Sequence, residues 1–185
     1  MIRQPLFGRF VAGAAMVCAI AAHVAAQSAP EYDVKAALLL NFARFIEWPD
    51  AAFESEQSPI EVCVFAPSPF GRALERVLSG ETVANRSLSA RDVHGVSDSA
   101  GCHLLFVPAG AESRAGAMFR EAGPNTVTVG ESRRFEDMGG AVNFVIEGGR
   151  VRFNVNLRPV ERRGVRISAR MLQLAGRVER ATPEK

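Results

Sequence analysis

The sequence predicts an α/β fold: a single-domain α/β/α sandwich with a mixed, mainly parallel sheet that ends in an antiparallel hairpin and a C-terminal helix. Three observations predict it. Short apolar runs at 60–66 (IEVCVFA), 102–107 (CHLLFV) and 125–130 (NTVTVG) alternate with helix-like stretches, the order expected of parallel crossover units. The stretch Gly139 to Asn156 (GGAVNFVIEGGRVRFNVN) has hairpin register. With Gly148-Gly149 as a type I′ turn, Ile146 faces Val151, Phe144 faces Phe153 and Val142 faces Val155. Apolar residues at helical spacing then mark a helix at each end of this body.

The chain opens on a segment that stands outside the domain. Arg3 and Arg9 form a basic start, Phe10 to Ile20 is an apolar run too short to span a bilayer, and Val24-Ala25-Ala26 supplies small residues for cleavage. Residues 1–26 are therefore expected to be a secretory signal peptide cut after Ala26, which places the mature protein on the far side of the membrane. About 159 residues remain, enough for one core-forming domain over 27–180 with a flexible tail at 181–185. Removing Arg3 and Arg9 takes the formal charge from +2 to zero, so no global field favours nucleic acid. Cys18 leaves with the signal, and the remaining pair, Cys63 and Cys102, would be bonded in an oxidising compartment.

Tyr32 to Trp48 reads as an amphipathic helix with Val34, Leu38, Phe42, Phe45 and Ile46 inward and Lys35, Asn41 and Arg44 at the rim. Pro49 ends it, because the residue before a proline resists the α region. The buried strand at 60–66 carries Cys63. After it, Ser68 is an N-cap candidate and Pro69 a first helical residue, opening a helix through Leu78. That helix start would lie at the strand's carboxyl end, so Ser68, Phe70, Gly71 and Arg72 are the expected ligand-pocket residues, although no dinucleotide or Walker motif is present.

Val83 to Leu88 is a polar, alternating edge strand, and 111–122 a short helix before Gly123-Pro124. Beyond Pro159 the pattern reads as one long helix to about Val178. Its apolar face holds Val165, Ser168, Leu172 and Ala175, and the opposite face an arginine stripe of Arg162, Arg166, Arg170 and Arg177. On the hairpin, the face carrying Arg152 and Asn154 is the polar one. Arg152, Asn154, Arg162, Arg166 and Arg170 are therefore the expected partner-binding residues.

Catalytic constellations are missing from the pattern. His103 and Cys102 are adjacent on a strand and point to opposite faces, so they do not pair as base and nucleophile, and His103 is expected to be a satisfied, partly buried histidine. The acidic residues are scattered, with neither a carboxylate pair nor metal-ligand spacing. No cofactor and no metal is expected, and a binding or regulatory role is favoured over an enzyme.

The helix YDVKAALLLNFARFIEWP, the strand IEVCVFAPSPFG, the segment GCHLLFVP, the run TVTVGESRRFEDMGGAVNFVIEGGRVRFNVN and the final RRGVRISARMLQLA together resemble the YfiR/HmsC-like family of periplasmic proteins. The resemblance implies an α/β/α sandwich that represses a membrane-bound diguanylate cyclase by binding its periplasmic sensor domain, lowering cyclic di-GMP and biofilm formation. It further implies that an OmpA-like outer-membrane lipoprotein can sequester the repressor, and that Cys63 and Cys102 form the family's disulfide. A homodimer is carried as an additional expectation. The second cysteine pair that some members hold near the hairpin is absent here, and Ser168-Ala169 stands where paired serines are usual. The alternative is a small-ligand sensor subunit for another membrane signalling protein.

Overall fold

The computed structural model describes residues 30–180 except 112, 113, 115, 117, 118, 120, 121, 162 and 163. The expected signal peptide and tail, and Arg162, lie outside the described residues. Eight strands form one sheet, in the spatial order β10 (Val178–Glu179), β8 (Arg150–Asn156), β7 (Val142–Glu147), β6 (Val127–Gly130), β5 (Leu104–Val107), β2 (Ile60–Phe65), β4 (Arg86–Val93) and β3 (Thr82–Val83). Its centre is parallel: β2 (Ile60–Phe65) lies between β4 (Arg86–Val93) and β5 (Leu104–Val107), and β6 (Val127–Gly130) follows β5. The β7 (Val142–Glu147) to β8 (Arg150–Asn156) hairpin is antiparallel, as expected.

Alternation along the central strands feeds two cores. Val62, Val64, Leu104, Phe106, Val127 and Val129 point to one face, where α1 (30–45) and α2 (Ala73–Leu78) cover them. Cys63, Phe65, Leu105 and Val107 point to the other, against Phe119 and Phe135. The Cys63–Cys102 disulfide stands on this second face with a Cα–Cα distance of 5.8 Å, reachable because β2 and β5 are neighbours. The hairpin register is the expected one, Val142 opposite Val155, Phe144 opposite Phe153 and Ile146 opposite Val151. Positive φ at Gly148 and Gly149 (56° and 72°) supports the type I′ turn.

Several expectations are corrected. The apolar face of α1 is rotated: Ala36, Leu39, Leu40, Phe42 and Ala43 are buried, while Val34 is 46% exposed and Lys35, placed at the rim from sequence, is 3% exposed. The helix also stops at residue 45, because Ile46–Glu47 (β1) leave it to pair with β9 (Arg166–Ile167). The edge strand is a tight hairpin. Thr82–Val83 (β3) turns through Ala84 and Asn85, both at positive φ, into β4, which then runs beside β2 up to Val93.

The largest difference is the C-terminal region, which is not one long helix. It is divided into α3 (Arg158–Glu161), β9, α4 (Ala169–Leu174) and β10 (Val178–Glu179). Gly164 sits at φ 69°, which a helix interior does not use. Ser168 is then a true N-cap, its hydroxyl accepting from Met171 N–H at 3.3 Å. The arginine stripe therefore does not exist as a helix face. Finally, of the three apolar pairs read across the hairpin and expected to build the core, only two are buried: Ile146 is 54% exposed, whereas Val142, Phe144, Phe153 and Val155 are buried.

Candidate functional site

The two ends of the parallel strands carry different polar clusters. At the amino end, the strands β2 and β5 begin beside His103, which is 4% exposed. Its Nδ1 accepts the Glu61 N–H at 3.1 Å, so the proton sits on Nε2, which donates to the Ala52 carbonyl at 3.2 Å. Phe53 stacks on the ring at 4.4 Å, and Trp48 meets it edge-on at 5.6 Å. Burial holds the imidazole below its ordinary pKa, the Ala52 bond and Glu61 opposing this only in part. His103 is thus a satisfied neutral histidine, as read from its strand position. Trp48 is likewise committed, donating Nε1–H to the Asn125 carbonyl at 2.9 Å.

At the carboxyl end, α1 brings Lys35 over the ends of β5 and β6. Glu131 follows β6 directly, and the Lys35 ammonium ion-pairs with both Glu131 and Glu31. The Lys35 and Glu131 side chains are only 4% and 5% exposed. Glu131 Oε1 also accepts from Tyr32 Oη and from the Ala109 N–H, each at 2.9 Å. The ammonium lies 4.6 Å from the Tyr32 ring centre. Burial, then Glu131, raises the Tyr32 phenol pKa well above its usual value, so the phenol stays a donor. A buried ion pair of this kind is tolerable because Glu131 finds hydrogen bonds for its remaining lone pairs.

The loop that carries Glu131 is pinned by packing. Phe135, 1% exposed, is wedged so that a Cβ at Gly130 or at Gly140 would come within 2.1 Å of its ring. Only glycine fits at either position. Phe119 closes the other side of that ring at 5.0 Å. Burial of such a ring is worth about 1.5–3 kcal/mol, which anchors 131–140 against the sheet.

Between this loop, α1 and the hairpin opens a cavity of about 410 Å³, lined by Tyr32, Lys35, Glu131, Ser132, Asn143 and Val145 among others, with Glu31, Arg133 and Ile146 at its walls. Asn143 is 3% exposed. Its Nδ2 donates to the Ser132 carbonyl at 3.0 Å and toward Glu136 at 3.4 Å, but among the described residues no donor meets its Oδ1. Ser132 Oγ is buried and unpaired as well. Each such orphan costs about 1–3 kcal/mol unless something meets it.

The residues singled out from sequence are scattered by the fold. Phe70 is 4% exposed, its ring packed on Phe106 at 4.8 Å and on Tyr32 at 5.4 Å. Ser68 Oγ accepts from Phe70 N–H at 3.4 Å, and Gly71 turns the chain at φ 52°. Arg72 lines a separate hollow with Glu75, Arg76 and Ser79. The expected pocket at 68–72 is therefore split, and the cavity at the strand ends sits two strands further along, over β6 and β7. What could have found it is the Glu131-Ser132 pair directly after NTVTVG, a polar step at a strand's carboxyl end.

Among the expected partner-binding residues, Arg152 is exposed on β8 and has no ion pair among the described residues. Asn154 is half-buried and donates to Glu136 Oε1 at 3.2 Å. Glu136 also pairs with Arg177. Arg166 reaches Glu47 at 2.7 Å across the β1–β9 pair, and Arg170 is exposed on α4. The hairpin residue Arg150, exposed at the turn beside Arg152, was not singled out from sequence.

The sequence model of the YfiR/HmsC-like family matches residues 32–176. The chain belongs to that family. Among curated proteins none matches. Two solved structures are similar at low identity. The crystal structure of a conserved domain protein from Vibrio cholerae O1 biovar eltor is 11% identical over 64% of this chain and 54% of its own, with a TM-score of 0.47. The ABC domain in complex with L-Trp from Streptococcus pneumonia is 12% identical over 69% and 57%, with a TM-score of 0.42. This YfiR/HmsC-like chain spans little more than half of each. Its sandwich, disulfide and hairpin lie within the matched segment, and no helix among the described residues is long and apolar enough to cross a membrane.

Proposed function

We propose that this protein is a periplasmic repressor that binds the periplasmic sensor domain of an inner-membrane diguanylate cyclase, keeping cyclic di-GMP and biofilm formation low, and that an OmpA-like outer-membrane lipoprotein can draw it away. Membership of the YfiR/HmsC-like family over residues 32–176 supports this reading. The observation that carries the docking surface is the polar hairpin face. Arg150 and Arg152 stand exposed there without ion pairs among the described residues. Arg133 lines the cavity beside Val145, the register partner of Arg152, and brings a third cation to the same side. Several other surface arginines are spent on carboxylates, as Arg44 on Glu81, Arg76 on Asp33 and Arg158 on Glu179.

Unpaired cations on a rigid strand steer an acidic partner and set its association rate. The test is cyclic di-GMP in cells that hold such an inner-membrane cyclase. Deleting the gene should raise it, and the Arg150→Glu/Arg152→Glu double variant should raise it as far while the variant protein stays folded. Unchanged cyclic di-GMP on deletion, beside an intact cyclase, would sink the reading.

A further inference from the structure

We infer that the cavity between α1, the 131–140 loop and the hairpin binds an uncharged, hydroxyl-rich small molecule of mono- or disaccharide size. A cavity of about 410 Å³ falls in the range of small-molecule sites. Its charges select against ions. Glu31 and Glu131 would oppose a carboxylate, and Lys35 and Arg133 would oppose an amine, so the wall as a whole is balanced. Lys35 and Glu131 are moreover committed to each other and to Tyr32 and Ala109, leaving little of their charge to offer.

What the wall leaves unmet is neutral. Asn143 Oδ1 accepts only, and Ser132 Oγ both donates and accepts. Alcohol groups satisfy both, since each hydroxyl carries a donor and two lone pairs. Neither atom is open to solvent in this form. Rotation about the single Ser132 χ1 bond is the smallest motion that turns its hydroxyl toward an occupant. Around this polar patch the Tyr32 ring, Val145 and the half-exposed Ile146 supply the apolar surface that the C–H face of a sugar ring covers. The Phe135 wedge packs the 131–140 loop against Gly130 and Gly140, which fixes the loop that carries Glu131 and Ser132 independently of any occupant.

The inference does not rest on the docking reading, and its test uses the exported protein alone. Glucose, galactose, N-acetylglucosamine, trehalose and inositol are titrated at millimolar concentration into isotope-labelled protein, with lactate and putrescine as charged comparators. At least one neutral polyol should shift the Asn143 side-chain amide and the Ser132 backbone signal to saturation. Ser132→Ala, which removes no existing hydrogen bond of the Oγ, should weaken that binding about tenfold, the loss of one hydrogen bond. Arg72→Ala, in the separate hollow by α2, should leave it unchanged. A flat response to the whole panel, saturation by lactate or putrescine alone, or wild-type affinity in Ser132→Ala would overturn it.

Discussion

The two ends of the parallel strands hold a polar cluster each, and they solve burial in opposite ways. At the amino end the titratable group is kept neutral: His103 has both ring nitrogens bonded and two aromatic neighbours. At the carboxyl end charge is kept and paired, Lys35 between Glu131 and Glu31, with orphaned neutral atoms beside an open cavity. The first arrangement is closed and has nothing left to offer a ligand. The second retains unmet hydrogen-bonding capacity, which is what a binding site needs and a purely structural cluster avoids.

The largest expected effect comes from breaking the charged end. Lys35→Met leaves Glu131 buried without its cation, and chemical denaturation should show a loss of about 3–5 kcal/mol. Loss well under 1 kcal/mol would mean that the pair is solvated in a way its burial does not suggest. Replacing both partners, as Lys35→Met with Glu131→Gln, should recover much of that loss, because a neutral amide needs no cation and still offers an acceptor to Tyr32 and Ala109. The cavity wall would then lose this charge pair while the fold persists.

Next is the covalent tie at the closed end. Cys63→Ser should lower stability by about 2–4 kcal/mol, since the bond closes a loop with a sequence separation of 39. Calorimetry of oxidised and reduced protein should agree with the variant. Alkylation without reductant should label neither Cys63 nor Cys102; modification of both would break the comparison at its base.

The smallest effect is the one that pH reveals. Burial holds His103 in the folded protein below its ordinary value of 6.5, so between that value and the lower folded one the unfolded chain binds the extra proton. The contribution is fully present above about 6.5 and is lost as pH falls through the folded value. Stability should therefore decline on mild acidification, and His103→Gln should flatten that decline. A slope unchanged in His103→Gln would assign the decline to other groups.

Much of this molecule was legible in the chain, and the boundary is physical. Alternating runs such as VTVG and LLFV declare buried strands because period two has few competitors. The Gly148-Gly149 turn fixes its register because left-handed φ at two successive positions needs glycine. The disulfide was legible from compartment and cysteine count. The C-terminal segment misled because Val165, Ser168, Leu172 and Ala175 do recur at helical spacing, yet Gly164 and the Ser168 cap override it. Lys35 was placed at the rim because nothing local announces a partner nearly a hundred residues away. The cavity stayed hidden for the same reason: Glu31, Glu131 and Asn143 come from separate elements that only the closed sheet brings together.

The short pairings at the C-terminus have one more consequence. β9 is held to β1 by two residue pairs, and β10 to β8 by two more, with α4 between them. Amides in β2 and β5, with partners on both sides and cores above and below, should exchange with deuterium only when the whole domain unfolds. Those of Ser168, bonded to the Phe45 carbonyl, and Gly176, bonded to the Phe153 carbonyl, should exchange through a far smaller opening in which the strap lifts and the sheet body stays intact. The protein thus holds two tiers of protection in one chain, and the outer tier can open without passing through the global unfolding barrier.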